Sequence, residues 1–302
     1  MLKILELNMI NGWLDINKPE GVTSAHVLNR LKRAFPKKTK IGHAGTLDKF
    51  ACGVLPVAIG HATKTIPMIM DAHKTYTFTV LWGVQTDTDD RDGEVIATSD
   101  VIPAIESILS ALQKFVGVIQ QMPPIFSALK IDGKRASDRV RKGEEVELES
   151  RQIEIFELKV VELHHHETTF QVTCSKGTYV RALARDLAVT LGTVGHVVYL
   201  RRDRVGTFLV DKAISLEKDF KMDDNLATKM VSAIIPIRTV LDDIPAVSCT
   251  ESAIARISRG QSIPVSLQDL DMVFAVDETD IIATGFVKDL VFYPKNVFIN
   301  GV

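Results

Sequence analysis

Paired thiols, bilayer-length apolar runs and nucleotide-cofactor signatures are all missing from this sequence, and each absence removes a class of function. Its three cysteines, Cys52, Cys174 and Cys249, are odd in number and far apart, with no Cys-x-x-Cys pair. That excludes a disulfide framework and a clustered thiolate metal site, and leaves them as small buried hydrophobes. The longest uncharged stretch, residues 115–129, contains Gln120, Gln121, Pro123 and Pro124, and is too short and too polar to span a bilayer. Residues 1–12 carry Glu6, Asn8 and Asn11 where a signal peptide needs an apolar centre and a cleavage site. The chain therefore reads as cytoplasmic, with no membrane partner. There is no Gly-x-x-x-x-Gly-Lys-Ser/Thr phosphate loop, no Gly-x-Gly-x-x-Gly, and no His-x-Glu with Pro-Cys-x-x-Cys. ATP, NAD and zinc are not implied.

What is present is a chain of 302 residues, longer than one average domain, with 46% hydrophobic residues to fill a core. One large domain with a small appendage is the expectation. The net charge of −2 conceals a dipole. From Lys18 to Lys74, ten lysines and arginines, Lys64 among them, stand against Glu20, Asp48 and Asp71, a local excess of seven positive charges. Such a run is either a solvated face or a surface for phosphate. Within it, Gly42, Gly45 and Gly53 permit positive φ and close backbone approach, so residues 41–57 read as a tight turn projecting one carboxylate, Asp48. On spacing alone that aspartate is a turn cap.

Periodicity places a strand at 12–17, then a helix capped by Thr23 or Ser24 with Val27, Leu28, Leu31 and Phe35 on its apolar side. A buried strand follows at 53–59, a helix at 61–70 and a strand at 75–82 rich in β-branched and aromatic residues. That order indicates an α/β domain. An amphipathic helix is expected at 103–115, strands at 153–163 and 168–174, a turn at 175–178 leading into a helix that ends near Gly192, and a strand at 194–201. Residues 122–151 form a long polar excursion around Asp132-Gly133 and Lys142-Gly143, with Lys130, Lys134, Arg135, Arg139, Arg141 and Lys142 available for phosphates. A solvated hairpin is the other reading. Residues 83–94 lack the glycine and glutamate spacing of a calcium loop, and the consecutive His164, His165 and His166 would alternate faces on a strand, so no metal is expected. Past Leu241–Pro245, Gly260, Pro264, Gly285 and Pro294 punctuate short strands of a small all-β unit.

The run His43-x-Gly45-Thr46-Leu47-Asp48, followed by Ala51, Gly53 and Leu55, resembles the catalytic signature of the TruB family of tRNA pseudouridine synthases. The resemblance covers roughly residues 12–240. It implies the pseudouridine synthase fold, a central mixed and largely antiparallel sheet flanked by helices, over 1–240 with an RNA-gripping insertion at about 122–151. It also implies a C-terminal PUA-like RNA-binding module over 241–302. There, Asp and Glu outnumber Lys and Arg nine to four across residues 240–302, a departure that weakens phosphate binding. Gly83, Thr86, Asp87, Thr88, Asp90 and Gly93 fit a second family motif, although a polar turn with Asx caps would look the same. A further departure is Lys49, where the family often has proline, which removes a fixed φ from the loop.

By the same resemblance, Asp48 is the catalytic acid and Arg181 the cation that pairs with it. Tyr76 is the aromatic packed against an everted base, and Tyr179 lies beside the site. His43 helps displace or bind the nucleotide, while Lys18-Pro19 and Leu200 shape the pocket. Without the family match, Arg181 would read as an ordinary ion pair and Tyr76 as core. An aspartate buried among Leu47, Phe50 and Val54 would tend to protonate, so a cation is needed to hold the charged form. The implied substrate is the T arm of tRNA, modified at its T-loop uridine by a stand-alone monomer with no guide RNA and no cofactor. Two other classes fit parts of the sequence. One is an RNA-folding chaperone that uses the basic face. The other is a glycoside or nucleoside hydrolase, whose two cooperating carboxylates would be Asp48 and Asp90.

Overall fold

The computed structural model describes residues 10–127, 129–131, 134–140, 142–144, 146–241, 244–278 and 281–298. In chain order the first part comprises β1 (Gly12–Lys18), α1 (Ser24–Leu31), β2 (Ile41–His43), β3 (Cys52–Ile59), α2 (Ile66–Asp71), β4 (Lys74–Trp82), β5 (Val84–Thr86), β6 (Val95–Thr98), α3 (Ile105–Leu112) and β7 (Gly117–Gln121). The chain continues through β8 (Lys130–Ile131), β9 (Lys134–Arg135), α4 (Ala136–Val140), β10 (Arg151–Leu163), β11 (Glu167–Cys174), α5 (Val180–Thr190), β12 (Gly195–Val205), β13 (Phe208–Leu209) and β14 (Ile214–Ser215). Helices Asp224–Ser232 and Ile237–Val240 lead to the second sheet.

The large sheet runs β14-β1-β3-β12-β4-β11-β10-β7, with β2 added to β3 and β13 to β12. Only β1–β14 and β3–β12 pair in parallel, so the sheet is mixed and largely antiparallel, as expected. The alternation that announced the strands has a plain cause. On β11, buried Thr168, Phe170, Val172 and Cys174 alternate with partly exposed neighbours, because at this end of the sheet one face packs on α3 and α5 while the other is partly exposed. α1 begins where Thr23 accepts a hydrogen bond from His26 N at 3.1 Å, and it buries Val27 and Leu31. One expected helix is broken: residues 60–65 form a 3-10 turn and α2 starts only at Ile66. Pro67, lacking an N–H and clashing with the preceding turn, cannot sit inside a helix running from 61, but it is tolerated in the first turn.

In the 122–151 segment β8 and β9 form a hairpin followed by α4. Arg139 pairs with Glu144 at 2.7 Å, and Asp132, Gly133 and Arg141 lie outside the described residues. The C-terminal sheet is ordered Ala246–Ser248, Leu270–Val276, Ile281–Lys288, Val291–Val297 and Ile263–Pro264, with one helix, Glu251–Ile257, that the reading of short strands missed. Its Phe274, Val276, Ile281 and Phe298 share a single apolar cluster with Trp13, Val54, Ala58 and Phe208 of the large sheet. No helix among the described residues is long and apolar enough to cross a membrane.

One buried acid sits under this sheet. Asp15 of β1 accepts from Leu209 N at 2.9 Å through Oδ2, while Oδ1 is buried without a partner. Burial pushes its pKa up to about 7, despite the Leu209 N–H and the nearby Arg202. The folded state therefore holds a proton that the unfolded chain, whose aspartates titrate at the ordinary 3.8, has already lost at higher pH. Stability from this group is full below pH 4 and is lost as pH rises to about 7. Asp15→Asn, with no proton to lose, is expected to match the parent near pH 4 and to exceed its unfolding free energy by roughly 2–4 kcal/mol at pH 8. Denaturant unfolding at the two pH values measures this; a difference that does not change with pH would overturn it.

Candidate active site

The 44–51 loop is held in place by hydrogen bonds to its backbone rather than by a proline. Ser24 Oγ accepts from Leu47 N at 2.9 Å and donates to Leu47 O at 3.1 Å. Gly21 N donates to Lys49 O at 2.8 Å, and Ala44 N to Pro56 O at 2.9 Å. From behind, Arg202 of β12, 2% exposed, sends Nη2 to Gly45 O at 3.0 Å and Nε to Val54 O at 2.8 Å. These bonds do what the fixed φ of a proline at position 49 would otherwise do. The loop presents Asp48 with its side chain 39% exposed, not buried. Leu47, Phe50 and Val54 turn into the cores instead.

Arg181, in the first turn of α5, meets it. Its Nε lies 3.0 Å from Asp48 Oδ2 but off the line of a hydrogen bond, so the attraction is Coulombic. The guanidinium is aimed by the rest of its contacts: Nη1 donates to Thr88 O at 2.7 Å and lies 3.2 Å from Asp90 Oδ2, and Nη2 donates to Phe126 O at 3.0 Å. Asp90 in turn accepts from Thr88 Oγ1 at 2.8 Å and from Asp92 N at 3.0 Å. Burial raises its pKa, outweighing the pull of Arg181. Asp90 is thus a buried brace for Arg181 and not a cavity residue, so the Asp48 and Asp90 pair expected of a hydrolase is not formed there.

Asp48 and Arg181 open onto a cavity of about 730 Å³ whose wall also includes Tyr76, Tyr179 and Leu200. Tyr76 on β4 is the register partner of Arg202, and burial raises its phenol's pKa. Tyr179 is fixed by an unanticipated residue, Gln121, whose amide accepts from Tyr179 N at 2.8 Å and donates to Tyr179 O at 3.1 Å. Arg151 and Lys176 add positive charge to the wall, and Lys176 reaches Asp71 at 2.9 Å.

Besides Asp90, four sequence candidates are not brought to this cavity. Lys18 is fully buried, its pKa lowered to about 8 by that burial, and its ammonium closes the 19–22 turn by donating to Val22 O at 2.7 Å and Pro19 O at 3.0 Å. Pro19 belongs with Lys18 to a separate depression beside Cys52 and Arg201. Lys64 donates to Val297 O and lies over the Phe298 ring, a link between the two sheets. His43, on β2, has a buried Nδ1 without a partner and a pKa lowered by burial and by Arg202.

Residues 32–180 match the family described as TruB family pseudouridylate synthase (N terminal domain). A protein of Caulobacter vibrioides named tRNA pseudouridine synthase B is 48% identical over 257 residues, covering 84% of this chain and 81% of its own. The chain belongs to the TruB family. It is accordingly an isomerase, a pseudouridylate synthase. A TruB relative from Rickettsia akari with the same name is 40% identical over 293 residues, 96% of this chain and 99% of that one. Among solved structures, a chain in the crystal structure of a Cbf5-Nop10-Gar1 complex aligns with TM-score 0.71 and 25% identity over 96% of this chain and 85% of the other. One in the archaeal box H/ACA sRNP Nop10-Cbf5 complex has the same score at 23% identity, over 98% and 88%, and shares the fold.

Proposed function

We propose that this TruB protein isomerises uridine to pseudouridine in tRNA, at the T-loop position conventionally numbered 55, using Asp48 as its catalytic carboxylate. The observation that carries this reading is the pairing of Asp48 with a buried, fully braced Arg181 at the mouth of a cavity walled by Tyr76, Tyr179 and Leu200. The reaction breaks the N1–C1′ bond and makes a C5–C1′ bond; the C5 proton leaves to water and N1 ends protonated. No atom or electron comes from outside, so no cofactor is needed. One carboxylate suffices, as a nucleophile at the sugar or base or as a base toward a sugar proton.

A stacked uridine cannot reach Asp48, so it has to be everted, and Tyr76 supplies a face for the base to pack on. The basic excess between Lys18 and Lys74 provides the counter-charge for the RNA backbone. The C-terminal sheet, acidic in balance, contributes less of it. We place the catalytic unit at 1–240 and the PUA-like unit at 241–302, in a cytoplasmic monomer acting without guide RNA.

The test is incubation with T-arm RNA bearing tritium at uridine C5. Release of one label per target uridine is expected; free uracil among the products, or no release from folded enzyme, would overturn the reading.

A further inference from the structure

Most cations in the cavity wall are committed. Arg181 is held by Asp48, Asp90 and two carbonyls, Arg202 by Gly45 O and Val54 O, Lys74 by Met70 O and Ala72 O, and Lys176 by Asp71. Arg151 differs. Among the described residues it makes no hydrogen bond and no ion pair, and its Nε and Nη2 are buried without an acceptor. Leaving charged donors unpaired in a shielded place is costly, and such a group calls for a reason.

The side chain is nevertheless held in place. Its guanidinium carbon lies 4.4 Å from the Tyr179 ring centroid, and Tyr179 is clamped by Gln121, the register partner of Arg151 across β7 and β10. Gly177, at φ +83°, packs against the same guanidinium, which a Cβ there would meet at 3.7 Å. The stack fixes the plane and leaves the donors idle.

Nε and Nη2 share one edge of the guanidinium and present two parallel N–H groups. That fork matches two oxygens of one phosphate. It does not match uracil, whose Watson–Crick edge alternates acceptor, donor and acceptor. We propose that Arg151 is a substrate-binding residue that clamps a backbone phosphate next to the everted nucleotide, with Tyr179 as the platform that orients the fork. Arg151 is part of the cavity wall, and it is from the cavity that the phosphate approaches its guanidinium. The proposal rests on the reading that RNA delivers a uridine to this cavity.

The experiment compares parent, Arg151→Gln and Arg151→Lys on T-arm RNA, measuring affinity, its salt dependence and single-turnover tritium release. A matched set of RNAs carries a neutral methylphosphonate at each phosphate flanking the target uridine. Arg151→Gln is expected to weaken binding about 10- to 100-fold and to lower the slope of log affinity against log salt by about one. The loss appears in affinity rather than in the rate at saturating RNA. Arg151→Lys keeps the slope and recovers only part of the affinity, because an ammonium lacks the fork. One methylphosphonate weakens the parent by a similar factor and adds nothing to the loss in Arg151→Gln. Unchanged affinity and slope in Arg151→Gln, or methylphosphonate losses that simply add to those of the variant, would overturn the clamp. If Arg151→Gln fails to fold, Arg151→Lys with the methylphosphonate set decides. Absence of tritium release from the parent would instead refute the proposed function, while the binding measurements still test Arg151.

Discussion

Asp48→Asn is expected to lower the single-turnover rate of tritium release by at least about 10⁴-fold while leaving RNA affinity within about threefold of the parent. An asparagine has nearly the shape of the aspartate, but its amide neither attacks carbon nor takes a proton. The change should also leave the fold intact. Arg181 keeps Asp90 and the Thr88 and Phe126 carbonyls when Asp48 loses its charge. The Asp48 side chain is 39% exposed, so its ion pair adds little to stability. Arg181→Lys is a harsher structural change for a smaller chemical one. It retains a charge but cannot span Asp48, Asp90 and two carbonyls at once, so a loss of thermal stability should accompany its loss of rate. Residual turnover by Asp48→Asn above about a hundredth of the parent rate would remove Asp48 from the chemistry.

The second large effect belongs to Gly53. It has φ +102° at the point where β3 pairs in parallel with β12, opposite Arg202. A methyl group there would collide with Arg202 O and come within 2.8 Å of Arg202 N, both backbone atoms that cannot turn aside. Left-handed strain and overpacking each cost roughly 1–3 kcal/mol, so Gly53→Ala should lose about 3–5 kcal/mol. The damage would reach the site, because displacing Arg202 releases the hydrogen bond to Gly45 O that supports the Asp48 loop. Thermal melting and tritium release should therefore fall together. A melting temperature within a degree of the parent would show that the strands separate at no cost. In this light the motif glycine is a contact requirement between two strands as much as a turn residue.

Much of the framework was legible because local pattern and tertiary role coincide. β11 alternates between buried and partly exposed residues, while β1 and β3 are apolar runs buried almost throughout, and local pattern reads both kinds of burial directly. The joining of Asp48 to Arg181, 133 positions apart, came from the resemblance, not from any spacing. What escaped has a common physical character. Ser24, Gln121 and Arg202 act by bonding main-chain atoms of remote segments, and nothing in their own neighbourhood marks that partner. The converse error has the same source. Lys18 and Lys64 look like phosphate ligands in a basic run, yet each ammonium is consumed by backbone carbonyls. Asp90, within the second family motif, turns its carboxylate to the back of Arg181 and not to solvent.

The apolar cluster shared by Trp13, Phe208, Phe274 and Phe298 makes the C-terminal sheet a plug as well as an appendage. A shortened enzyme ending near residue 240 would bare that indole and its neighbours to water, inviting self-association before any question of RNA affinity arises. Grafting a different module onto this scaffold therefore demands a donor that brings its own aromatic stopper for the same socket.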